Sequence, residues 1–265
     1  MFFYKLIFML LGLKNGIHHI INRSPSIIDK KIITISPGGY KGFYQLGICK
    51  YIKEHYDLTN YVFSGASAGA WVSLVFCFKK DFSEIQTKVL DDSIMELKTM
   101  QELENKIINK ILTEFTTDDF DLERLYIGTT TLQKCKFKTT IYHNFTDLED
   151  AINCCRASSH IPLITAGIKN VYRNVLTFDG GFSKHPYLRT SEDAVLHITP
   201  SIWSEKPISL TTNEKNKKTS YLLRLNDYTT VFSRSRYKFN DMVNEGYKDS
   251  ENNKEYLDNI FKKIG

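Results

Sequence analysis

NYVFSGASAGAWVSLVFCF, residues 60–78, passes from a β-rich run ending at Ser64, through a turn of small residues, into an apolar helix beginning at about Ala68. The turn reads Gly65-Ala66-Ser67-Ala68-Gly69, a G-x-S-x-G sequence between strand and helix. A reversal this sharp leaves no room for side chains at its flanks, which is why Gly65 and Gly69 bracket the serine. It lifts the hydroxyl off the sheet and sets the N–H groups of the next helix's first turn beside it, where an oxyanion would develop. Ser67 is therefore the candidate nucleophile.

Upstream lies a similar pattern. KIITIS (31–36) reads as a buried strand bounded by Pro37 and glycines, and GFYQLGICKYIKEHY (42–56) carries Phe43, Leu46, Ile48, Tyr51 and Ile52 at helical spacing. The loop between them, PGGYKG, sits where a nucleotide site would begin. It lacks the G-x-x-x-x-G-K-[ST] spacing, and it misses the first glycine of G-x-G-x-x-G.

Downstream, residues 81–115 repeat apolar positions at helical spacing with charges between them, as one broken or two consecutive amphipathic helices. LYIGTTTLQ (125–133) and KCKFKTTIYHNF (134–145) read as strands. LEDAINCCRASS (148–159) reads as a helix entered through Thr146 or Asp147, and VLTFDGG (175–181) and AVLHITPS (194–201) as further strands. Strands alternating with helices predict an α/β layered sheet. Beyond Trp203 the pattern weakens into a Lys-rich loop, TTNEKNKKTS, and then a helical tail over 222–264. The expected organisation is an apolar segment over 1–30, a main domain over 31–203, and a polar loop and helical part over 204–265 packed on that domain.

Bulk properties narrow the function classes. The chain has 265 residues, 42% hydrophobic and 25% charged, as in an ordinary globular protein. Its net charge of +5 comes mostly from Lys scattered among acidic residues, so no nucleic-acid footprint is expected. Cys49, Cys77, Cys135, Cys154 and Cys155 form no CxxC pair and read as reduced, packed thiols rather than a disulfide framework or zinc site. The opening MFFYKLIFMLLGL is shorter than the roughly 20 residues of a spanning helix. It reads as a helix in a membrane interface, a helix packed on the protein, or a signal or signal anchor. Together these features give the expectation of an intracellular protein, peripherally attached to a membrane through that segment.

The serine needs a base. Asp179 with His185 or His197 satisfies the Ser, Asp, His order of an α/β-hydrolase esterase. His197 falls mid-strand, where a packed histidine is expected; His185 follows Asp179 closely enough to share its rim. Asp179-Gly180-Gly181 directly follows VLTF and so stands at a strand end, where α/β sheets gather their sites.

With these motifs the chain resembles the patatin-like phospholipase family over roughly residues 31–250. Gly65 to Gly69 match its nucleophile elbow, Asp179 to Gly181 its D-G-[GA] element, and Pro37 to Gly42 its glycine-rich oxyanion loop. RASSHIP (156–162) and MVNEGYKDS (242–250) are similar to two further family segments. The resemblance implies a three-layer α/β/α sandwich with a central, mostly parallel sheet. It also implies a Ser67–Asp179 dyad that needs no histidine, metal or cofactor, with oxyanion donors at Gly38, Gly39 and Ala68. The expected partner is a lipid ester, a phospholipid or lysophospholipid, met at a lipid interface. Lys41 reads either as a solvated surface residue or as a neighbour of the oxyanion loop. The family's first loop glycine is Pro37 here, which has no N–H to donate. That substitution and the apolar N-terminus favour the competing reading, a catalytically silent lipid- or partner-binding module.

Overall fold

In the computed structural model, strand β2 (Lys31–Ile35) pairs in parallel with β3 (Tyr61–Ala66), Ile33 opposite Phe63 and Ile35 opposite Gly65; helix α1 (Gly42–His55) crosses between them. The structure describes residues 19–20, 30–94, 97–188, 194–205 and 239–264. β3 pairs in parallel with β4 (Leu125–Gln133), and β4 pairs antiparallel with β5 (Lys136–Tyr142). The two-residue strand β1 (His19–Ile20) and strand β8 (Leu196–Ile198) complete the sheet in the order β1-β5-β4-β3-β2-β8. Strands β6 (Asn170–Tyr172) and β7 (Val175–Phe178) form a hairpin whose second arm joins β4 antiparallel. This is the α/β class the alternating pattern predicts.

Side chains along the central strands alternate between two apolar environments. Ile33, Ile35, Phe63, Leu125 and Ile127 enter the large core with the helices, while Ile32, Val62 and Tyr126 join Ile141 and Leu188 in a smaller cluster. Burial on both faces explains why these strands read as continuous apolar runs.

β4 positions the rest. Its residues Leu125 to Gly128 pair with β3, and Thr130 to Leu132 pair with β7. β5 occupies the other edge of β4, so β3 and β7 share one flank. β3 runs parallel to β4 and β7 runs against it. Their C-terminal ends therefore converge beside Thr129.

The helical stretch over 81–115 is two helices, α3 (Phe82–Lys88) and α4 (Met100–Glu114), separated by a 3-10 turn at Asp92–Ile94. A capping box of Thr99 and Glu102 starts α4. Between α1 and α3 lies α2 (Ala68–Phe76), and α5 (Leu148–Ser158) starts at Asp147, whose carboxylate accepts from Asp150 N at 2.8 Å. After the short helix α6 (Ile202–Glu205), the tail supplies α7 (Phe239–Asn252) and α8 (Lys254–Asp258). α7 crosses α1 at backbone contact: a Cβ on Gly47 would strike the Val243 carbonyl, and one on Gly246 the Tyr44 carbonyl. Tyr44 Oη also donates to the Asp249 carboxylate at 2.8 Å.

Two expectations are corrected. Membrane attachment of an intracellular protein through its N-terminal segment is overturned: among the described residues no helix is long and apolar enough to cross a membrane, and residues 1–18 lie outside them. Four thiols are buried, but Cys135 is exposed because it sits at the tip of the β4–β5 hairpin. His197 stands mid-strand on β8, partly exposed, with its ring edge-on against Tyr187 and its Nδ1 2.8 Å from Thr34 Oγ1.

Candidate active site

Ser67 occupies the single position between β3 and α2 and takes φ 55°, ψ −128°, a conformation a non-glycine residue holds only when its surroundings impose it. The flanking glycines create those surroundings. A Cβ on Gly65 would strike the Gly69 carbonyl, and one on Gly69 would strike the Ile35 carbonyl of β2. Ser158, the last residue of α5, fixes the turn from outside: its Oγ accepts from Ser67 N at 2.8 Å and donates to Gly128 O at 2.7 Å. That hydroxyl ties the elbow to the neighbouring strand β4.

Asp179 follows β7 and is 4% exposed. Ser67 Oγ donates to its Oδ2 at 2.7 Å, and Gly181 N donates to its Oδ1 at 2.6 Å. Asp179 N donates to His160 O at 2.8 Å, which anchors the strand end. Gly180 and Gly181 form the 3-10 turn just beyond. Burial pushes the Asp179 carboxyl up to about 6, while the hydrogen bonds from Ser67 and Gly181 restrain the rise. A carboxylate so raised is a better proton acceptor than a solvated one.

The glycine loop faces this pair. Gly39 takes φ 53° and opens a 3-10 turn through Lys41, after which Gly42 begins α1. The buried Gln45 amide pins the approach to the loop, donating to Ser36 O (3.1 Å), Ser36 Oγ (3.1 Å) and Ile198 O (3.2 Å). The N–H groups of Gly38, Gly39 and Ala68 donate to no protein acceptor among the described residues, and all three residues line one cavity with Ser67 and Asp179. The arrangement thus offers a hydroxyl, a raised carboxylate and unpaired backbone donors at one place. Lys41 is half-buried outside the cavity lining, and desolvation pushes its ammonium below the usual lysine range.

The cavity has a volume of about 340 Å³. Apolar residues such as Val72, Val75, Leu103, Ile107 and Ile111 form most of its wall, and Ser159, Thr165 and Glu104 add polar groups to it. Among the described residues no histidine lines it. His185 is exposed on the loop after the Asp179 turn and His197 lies on β8, so neither joins Ser67. Among the described residues no cluster of three or more potential metal ligands occurs. Sequence reasoning missed Gln45, Ser158, Ser159 and Glu104. Only the RASSHIP stretch hinted at the two serines.

The glycine loop, the elbow and the Asp179 turn fall inside one match: the model of the patatin-like phospholipase family covers residues 33–188. The chain belongs to the patatin-like phospholipase family. The mixed sheet with its helices is the patatin-like α/β/α fold, and membership supports lipid acyl hydrolase activity and a lipid substrate in general. Among solved structures, VipD from Legionella pneumophila is similar at 13% identity and a TM-score of 0.48, over 89% of this chain and 68% of that one. No curated protein matches this patatin-like sequence.

Proposed function

We propose that this patatin-like protein hydrolyses lipid carboxylic esters, as a phospholipase A or lysophospholipase, through a Ser67–Asp179 dyad and an acyl-enzyme. One observation carries the reading: the 2.7 Å hydrogen bond from Ser67 Oγ to Asp179 Oδ2, in a cavity that no described histidine lines. Asp179 accepts the Ser67 proton as Oγ attacks the ester carbonyl, and the carbonyl oxygen becomes an oxyanion held by the N–H groups of Gly38, Gly39 and Ala68. Collapse breaks the C–O bond, and Asp179 returns the proton to the departing alcohol. Water, deprotonated by the same carboxylate, then attacks the acyl-Ser67 ester; fatty acid leaves and the serine proton is restored. The apolar wall accommodates the acyl chain. Pro37 removes one donor from the loop, and the three unpaired N–H groups are the ones left to act.

Ser67→Ala and Asp179→Ala should each abolish fatty-acid release from a phospholipid or a short-chain ester, while the double variant His185→Ala, His197→Ala keeps it. Retained hydrolysis in either single variant would sink the dyad, and loss in the histidine variant would favour the Ser-His-Asp esterase. Pro37 favours a second reading, a silent lipid-binding module. A fluorophosphonate probe labels Ser67 if the site is active and leaves the folded protein unlabelled if it is silent.

A further inference from the structure

Asp179 is not the only carboxyl in the cavity. Glu104 projects from the face of α4 that otherwise presents Met100, Leu103, Ile107 and Ile111 to the same space. Its Oε1 accepts from Ser159 Oγ at 2.5 Å, and that hydroxyl oxygen in turn accepts from Trp71 Nε1 at 3.2 Å. Trp71 stands one helical turn beyond Ser67, and Ser159 follows the serine that holds Ser67 N. These bonds tie Glu104 to α2, the helix that leaves the elbow, and to the residue beside Ser158. Its second oxygen, Oε2, accepts no hydrogen bond among the described residues.

Glu104 is only partly buried, and Oε2 is not among the enclosed unpartnered atoms, so water solvates it in the open cavity. A substrate that fills the apolar space displaces that water and binds best when it donates a hydrogen bond in its place. Enclosure pushes the Glu104 carboxyl up to about 7, against the Ser159 hydrogen bond and the Arg156 charge and reinforced by the Asp179 charge. An ordinary acyl chain carries no donor. The alcohol half of a lipid ester carries one when the carbon next to the esterified carbon bears a free hydroxyl.

We propose that Glu104 is a specificity-determining residue that accepts a hydrogen bond from a free hydroxyl beside the scissile ester, making monoacyl glycerolipids, lysophospholipids among them, the preferred substrates. The proposal rests on the Ser67–Asp179 reading and names the substrate class for that site. A site built to bond a substrate hydroxyl discriminates strongly against the analogue lacking it.

The test compares kcat/KM for 1-acyl-glycerophosphocholine and for the same molecule without its C2 hydroxyl, so that the head group is constant. The wild-type protein should favour the hydroxylated substrate by about 10-fold or more, Glu104→Leu should bring the ratio near one, and Glu104→Gln, which keeps an acceptor, should retain most of the preference. A wild-type ratio near one, or an unchanged ratio in Glu104→Leu, overturns the proposal while hydrolysis itself leaves the dyad standing. Should Glu104→Leu not fold, the wild-type and Glu104→Gln ratios decide. A wild-type protein that hydrolyses neither molecule nor a simple chromogenic ester overturns both readings.

Discussion

Ser67 and Asp179 are 112 positions apart in sequence, yet their side chains meet at 2.7 Å because each ends a strand and the two strands approach along one flank of β4 from opposite directions. Neither residue depends on a flexible loop for its place. Strand pairing sets the separation of the hydroxyl from the carboxylate.

The proposed dyad makes hydrolysis pH-dependent through the burial of Asp179. Only the ionised carboxylate can take the serine proton, and its pKa is raised to about 6. A profile of log kcat/KM against pH, measured on a short-chain neutral ester, should rise with unit slope below about 6 and level off above it. A rate independent of pH between 4 and 8 would remove Asp179 as the base.

The same shift makes Asp179 a cost to stability at neutral pH. Its folded pKa, about 6, lies above the reference value of 3.8, so the native state holds the proton more tightly than the unfolded chain. The favourable contribution is complete below about 4 and is lost as pH rises through 6, leaving a penalty of at most about 3 kcal/mol for a shift of roughly two units. Asp179→Asn should therefore raise the urea midpoint at pH 8, with the gain shrinking as the pH falls toward 4.

Ser158 is a positioning residue. Ser158→Ala leaves Ser67 N and Gly128 O buried without their bridge, which should lower unfolding free energy by about 1–3 kcal/mol. It also frees the elbow from its outer tether, so kcat should fall by about 10-fold or more with a smaller change in KM. Urea denaturation and steady-state kinetics on one sample check both parts.

At the crossing of α1 and α7, Gly246→Ala places a methyl group against the Tyr44 carbonyl. Separating the helices should cost about 1–3 kcal/mol and lower Tm. Thermal unfolding followed by circular dichroism measures it.

The elements legible in the sequence are those that local chemistry dictates. The strand, small-residue turn and helix around Ser67 announce themselves by periodicity and glycine spacing, and Asp179-Gly180-Gly181 announces a strand end. What the sequence hides is pairing direction: nothing in VLTF says that β7 runs against β4, and that direction brings Asp179 to Ser67. Ser158 and Gln45 are equally silent, because a serine at a helix end and a glutamine inside a helix gain meaning only from the tertiary contacts they make. At α5, where Thr146 and Asp147 competed, Asp147 caps the helix, and Thr146 Oγ1 turns to the Asp147 carboxylate at 3.2 Å. Charge spacing favoured Glu104 as one more solvated position on an amphipathic helix, yet it lines the cavity.

The seating of α7 on α1 has a consequence for the chain as it is made. α1 begins at the loop that carries Gly38 and Gly39, and the surface of α1 around Tyr44 and Gly47 is completed only by residues near Val243 and Gly246. A nascent chain that has already cleared Ser67 and Asp179 from the ribosome still lacks the helix that clamps the loop's support. The packing that seats the Gly38–Gly39 loop beside Ser67 is therefore complete only late in synthesis, after Gly246 has emerged.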